Sequence, residues 1–183
     1  MGMRRTIITL LALSTLTMLC QVLTAPAEAQ TAVYSTLVFV NRDTSIATQN
    51  DYLTSAGIGF GLYREGYQIG HVSTGLDFRG TYSANDKFGL GGVRAELLTK
   101  NELVRPYVEF LVGGGTFANI NGTAIAHLFY EPVVGLDVPM GRIDYRLLEF
   151  GMGRTPLNNA TGALYTAGNL WEDTFASGVV YRF

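Results

Sequence analysis

From Trp171 to Phe183 side-chain character alternates with a period of two. Trp171, Phe175, Val179, Tyr181 and Phe183 share one face, while Glu172, Thr174, Ala176, Gly178 and Arg182 share the other. Successive side chains of a strand point to opposite sides, so this segment reads as a strand with an aromatic, apolar face backed by a small or charged one. A closing strand of a membrane barrel needs that division, because hydrocarbon meets its outside and a polar lumen its inside.

The other end of the chain agrees. Arg4 and Arg5 precede an apolar stretch from Thr6 to Leu23, and Ala27-Glu28-Ala29 has the small-x-small form of a secretory cleavage site. Residues 1–29 are therefore expected to be a cleaved signal peptide, with residues 30–183 forming the mature domain. Cys20 raises acylation as an option, but Leu19 stands where a lipoprotein signal wants a small residue, so that option is rejected. A mature chain without cysteine offers no disulfide framework and no thiolate metal site.

Composition narrows the class. A single domain is expected, with a formal net charge of −2 for the whole chain and no basic run of the kind that binds nucleic acid. Beyond the leader, no apolar segment reaches the roughly 18–20 residues of a spanning helix. A secreted chain that is 48% hydrophobic, with 22 glycines, 10 tyrosines and 10 phenylalanines, is left with a soluble β-sandwich or an outer-membrane barrel.

Spacing decides between them. Period-two segments lie near Ala32 to Val40, Thr54 to Tyr63, Gln68 to Tyr82, Lys87 to Leu98, Val104 to Phe117, Ala126 to Val138, Arg142 to Arg154 and Trp171 to Phe183. Most are longer than the roughly 5–6 residues usual in soluble sheets and suit a tilted membrane crossing. Tight connections are expected at Arg64 to Tyr67, Thr99 to Leu103 and Pro139 to Gly141. Longer or irregular ones are expected at Asn41 to Leu53, Ser83 to Asp86, Ala118 to Ile125 and Thr155 to Leu170. Short turns alternating with longer loops match the two sides of an outer-membrane barrel. The expected fold is all-β, an eight-stranded antiparallel transmembrane β-barrel.

The same parity assigns the faces. Val72, Thr74, Leu76 and Phe78 oppose His71, Ser73, Gly75, Asp77 and Arg79; Val93, Ala95 and Leu97 oppose Gly92, Arg94 and Glu96. Val104, Val108, Phe110 and Val112 oppose Arg105, Tyr107, Glu109 and Gly113, and Leu128, Tyr130, Val134, Leu136 and Val138 oppose Glu131, Val133, Gly135 and Asp137. In the seventh strand Ile143, Tyr145 and Leu147 face out and Arg142, Asp144 and Arg146 face in. A β-bulge is expected at Leu147-Leu148, after which Leu148, Phe150 and Met152 face lipid and Glu149 faces the lumen. Arg79, Arg94, Arg105, Arg142, Arg146 and Arg182 thus meet Asp77, Glu96, Glu109, Glu131, Asp137, Asp144, Glu149 and Glu172 on one enclosed face, where each charge needs a partner or water.

Taken together, the leader, the alternating strands, the run from Gly135 to Phe150 and the terminal Ser177-Gly178-Val179-Val180-Tyr181-Arg182-Phe183 resemble the small eight-stranded outer-membrane β-barrel proteins of the OmpA/OmpX-like class. The resemblance implies a bacterial outer-membrane location. It also implies contact with outer-membrane lipid, and delivery to the barrel-assembly machinery through the C-terminal strand ending at Phe183. It does not say what any extracellular loop binds.

Eight strands enclose a lumen that side chains just fill, so a wide channel is not expected. Gly57, Gly59, Gly61, Gly75, Gly113, Gly115 and Gly135 fall on the lumen face and leave a narrow pore as an alternative. The enzymatic alternative is a lipid-modifying hydrolase using His71 and Ser73, which share a strand face in the i, i+2 relation of an incipient activated nucleophile. That face is the lumen, away from lipid, so a polar network is the expected role. His127 has no second histidine at metal-ligand spacing, and neither a metal nor a cofactor is expected. Asn121-Gly122-Thr123 and Asn159-Ala160-Thr161 read as loop residues. The expected function is non-enzymatic: a structural or surface-interaction role.

Overall fold

The computed structural model describes residues 30–43, 52–98, 103–118, 124–154 and 171–183. The leader with Cys20, most of the first connection, Asn121-Gly122-Thr123 and the segment from Thr155 to Leu170 lie outside these residues, as does the side chain of His127.

Eight strands follow in chain order: β1 (Thr31–Asp43), β2 (Tyr52–Ile69), β3 (Val72–Ser83), β4 (Asp86–Leu97), β5 (Arg105–Ala118), β6 (Ala124–Met140), β7 (Ile143–Arg154) and β8 (Trp171–Arg182). Each pairs antiparallel with the next, and β1 pairs with β8, closing the sheet. At that seam Val38 lies opposite Ala176, the Phe183 N–H donates to the Thr31 carbonyl at 2.9 Å, and Tyr181 and Phe183 meet edge-on at 5.0 Å. Closure leaves no unpaired edge, which is the condition for a sheet in hydrocarbon.

Polarity is inverted relative to a soluble protein. Leu37, Phe39, Phe60, Val108, Phe110, Val134, Phe175 and Val179 are exposed on the outer wall, whereas Arg94, Arg146, Glu96 and Asp77 are fully buried inside. The assignment of faces from side-chain parity holds through β3, β4, β5, β6 and β8. It also holds through the β7 bulge: pairing with β8 shifts between Arg146 and Glu149, Leu147 and Leu148 are both exposed, and Glu149 is buried.

Three local expectations are corrected. No turn occupies Arg64 to Tyr67; β2 runs on to Ile69, and the reversal falls at Gly70-His71, where Gly70 adopts φ +61°, a conformation most side chains resist. A bulge between Glu65 and Tyr67 lets the strand continue and keeps Glu65 on the inside. Ser83 to Asp86, expected as an irregular connection, is a tight reversal closed by the Asp86 N–H donating to the Ser83 hydroxyl at 3.0 Å. Arg142 does not enter the lumen: it sits exposed in the Gly141-Arg142 turn, where Gly141 has φ +91°, and β7 starts one residue later.

Candidate functional site

The chemistry of this chain is concentrated in the lumen, which has two levels. The lower level, toward the end that carries Gln30, Phe183 and the Gly70 and Gly141 turns, is a network of arginines, carboxylates and tyrosines. Arg94 donates from Nη1 to Glu109 at 2.6 Å and from Nη2 to Glu96 at 2.8 Å and Asp137 at 3.1 Å. Arg146 donates to Asp137 at 3.0 Å and to Glu149 at 2.8 Å. Arg79 joins Glu149 at 2.7 Å and also pairs with Glu109. Arg182 pairs with Asp144 and reaches Glu96 at 3.2 Å, and Arg105, closer to solvent, lies 3.6 Å from Asp144.

Each guanidinium spans several carboxylates because its planar fork presents donors in fixed directions, which an ammonium cannot do. Tyrosines fill the space between. The Arg94 guanidinium lies 3.6 Å from the Tyr107 ring centre and 4.3 Å from that of Tyr63, and Arg146 lies 4.3 Å from that of Tyr34. Their hydroxyls complete the network: Tyr107 donates to Glu149 at 2.6 Å and Tyr34 to Asp77 at 2.8 Å. Tyr107 reaches Glu149 across Gly135, its register partner on β6; a side chain at 135 would collide with the ring.

Above the network the wall turns apolar. Phe88, Leu90, Leu111, Phe129 and Val133 pack as one cluster from β4 to β6, and Val38, Val40 and Ala176 as another at the seam. Between the levels lies a cavity lined by Arg79, Thr81, Glu131, Glu149 and Thr174 among others, with room for about one water molecule. The upper level, toward the start of β8, holds Arg42, which donates to Asp86 at 2.5 Å, with the Ser55 hydroxyl donating to Asp86 at 3.2 Å. Glu131 accepts from Thr174 at 2.5 Å, and Glu172 lies nearby on the same face of β8.

Five of the six arginines expected inside are there, as are all eight expected carboxylates. Three charges were missed. Arg42 and Asp86 fell in segments read as connections, and Glu65 in the misplaced turn. Continuing the alternation past Val40 would have placed Arg42 inward. His71 and Ser73 are not a pair: Ser73 donates to Glu65 at 2.8 Å inside the lumen, while His71 is exposed in the turn.

No family model matches the chain, and no curated protein matches it. Solved structures do resemble it. Neisserial surface protein A is 12% identical, with a TM-score of 0.56 over 84% of this chain and 97% of that one. Ail, the attachment invasion locus protein of Yersinia pestis, solved in complex with the heparin analogue sucrose octasulfate, is 15% identical, with a TM-score of 0.49 over 85% and 99%. The N-terminal barrel domain of Pseudomonas aeruginosa OprF is 13% identical, with a TM-score of 0.44 over 85% and 100%. With eight closed strands, an apolar wall turned outward and its charges enclosed, the chain has the fold of the small outer-membrane β-barrels and the polarity of a protein seated in a bacterial outer membrane.

Proposed function

We propose that this chain is a non-enzymatic, non-conducting outer-membrane barrel that serves as a rigid platform, with a structural or surface-interaction role exerted at its extracellular end. The observation that carries the reading is the filled lumen. Arginines and carboxylates hold one another at 2.6–3.1 Å across the lower level, and apolar clusters cover the middle. Such an interior supports a fixed wall rather than a path for solutes.

A neighbour of the same fold is a surface protein by name, which agrees with a role at the cell surface. The test has two parts. Purified barrel in planar bilayers should give no stepwise conductance above the empty membrane. A deletion strain should change envelope integrity or adhesion while keeping its lipid A profile. Regular single-channel steps, or an altered lipid A profile, would refute the assignment in favour of a pore or a lipid-modifying enzyme.

A further inference from the structure

Gln30 and Glu65 meet at the lower mouth of the lumen. Thr31 is the register partner of Arg64, so Gln30, one residue earlier, stands opposite Glu65, whose N–H donates to the Gln30 carbonyl at 2.9 Å. Both side chains turn inward. The Gln30 amide oxygen accepts from Arg182 Nη1 at 3.1 Å, and Oε2 of Glu65 accepts from Ser73 at 2.8 Å. Oε1 of Glu65, a residue only 7% exposed, has no hydrogen-bond partner. Arg182 lies 3.6 Å from that oxygen but is shared with Asp144, Glu96 and the Gln30 amide. Among the described residues the lower level also holds fewer guanidinium groups than carboxylates, and a buried carboxylate oxygen left without a donor is costly.

The sequence places a further cation at this spot. Cleavage after Ala27-Glu28-Ala29 makes Gln30 the first residue. In that step a signal-cleaving protease hydrolyses the Ala29–Gln30 amide: the hydroxyl of water goes to the Ala29 carbonyl carbon and its hydrogen to the Gln30 nitrogen. The α-amine so formed, with an ordinary pKa of about 7.7–8.0, takes up a proton at neutral pH. In a hydrogen-bonded antiparallel pair the nitrogen of one residue lies beside the carbonyl of the other. The Gln30 nitrogen thus stands at the root of the Glu65 side chain. We propose that the α-ammonium released by cleavage before Gln30 is a member of the lumen network, donating to the Glu65 carboxylate and fastening the start of β1 to β2. The uncleaved chain has only an uncharged peptide N–H at this nitrogen. Cleavage one residue later would remove the Gln30 contact with Arg182, and cleavage earlier would carry the charge away from Glu65.

N-terminal sequencing of the protein recovered from the outer membrane should read Gln30 first; any other first residue would overturn the proposal. Two refolded barrels are then compared by urea unfolding in a zwitterionic detergent at neutral pH. One begins at Gln30, with its free amine confirmed by intact mass, and the other carries two alanines before Gln30. The extension should raise the unfolding equilibrium constant about tenfold, the lower end for a hydrogen bond to a charged group. In a Glu65→Gln background the same extension should change nothing. Equal stability of the two wild-type lengths, or the same loss in both backgrounds, would refute the contact with Glu65. Acylation kinetics of the α-amine give a readout that needs no variant. The amine should react slowly in the folded barrel that begins at Gln30 and fast after unfolding in urea, and equal rates would show that it stands free in solvent.

Discussion

The guanidinium of Arg94 lies over the ring of Tyr107, its central carbon 3.6 Å from the ring centre, while its nitrogens reach Glu96, Glu109 and Asp137. One cation on β4 thereby ties together β4, β5 and β6, and Tyr107 carries the connection on to Glu149 of β7. The lower lumen is therefore a single cooperative unit rather than a set of pairs.

Removing its centre should be costly. Arg94→Ala strips Glu96, Glu109 and Asp137 of a shared buried partner and should destabilise the barrel by about 3–5 kcal/mol, with Arg94→Lys restoring only part because an ammonium lacks the fork. Arg142→Ala, in an exposed turn, should change stability by less than about 0.5 kcal/mol. Urea unfolding in detergent measures all three, and similar small effects at positions 94 and 142 would contradict the enclosed network.

The contact of Tyr107 with Gly135 predicts a dependence between the two positions. Gly135→Ala places a methyl group into the ring and should cost about 1–3 kcal/mol. In a Tyr107→Ala background the same change should cost much less, so a double-mutant cycle should yield a clear coupling energy. Additive losses would show that the ring does not rest on the glycine.

On the outer wall, Leu37 sits midway along β1 and is 65% exposed. In a lipid bilayer Leu37→Arg should cost about 2–4 kcal/mol, as expected for a charge at the midplane. A soluble barrel would accept the same substitution almost freely. Folding equilibria in liposomes distinguish the two, and a neutral effect would argue against a membrane-facing wall.

Phe183 is 73% exposed and lies edge-on to Tyr181 at the seam. Deleting it should leave export across the inner membrane intact and reduce assembly in the outer one. Membrane fractionation with the gel shift between folded and heat-unfolded protein checks this; normal assembly of the truncated chain would remove the terminal residue from the insertion signal.

Ser73 gives its hydroxyl to Glu65, and His71 stands outside in the turn. Ser73→Ala should therefore leave the lipid A profile unchanged, cost about 1 kcal/mol of stability and reveal no ester hydrolysis above a heat-denatured control. A serine-dependent activity that disappears in folded Ser73→Ala protein would restore the hydrolase reading.

Much of this architecture was readable from local pattern. A strand exposes its faces with a period of two whatever its partners, so the alternation in the β5 segment Arg105–Ala118 and the doubled Leu147-Leu148 were enough to sort lumen from lipid and to locate the β7 bulge. Turns were harder. The segment from Arg64 to Tyr67 carries a charged pair and a glycine, as turns often do, yet the chain reverses at Gly70, because a bulge at Glu65 absorbs the extra residue and the pairing of Tyr67 with Thr74 extends the hairpin.

By itself the sequence determined a two-faced, eight-stranded sheet with charges on one side and aromatics on the other, since side-chain direction along a strand is a local property. Only the tertiary structure decided which charges meet. Arg79 joins Glu149, 70 residues away in sequence, Arg182 reaches Glu96 at a separation of 86, and Arg42 finds Asp86 at a separation of 44. Those partners are set by the closure of β1 on β8, the stagger between strands and the reach of each side chain across the lumen, which alternation along a single strand does not encode.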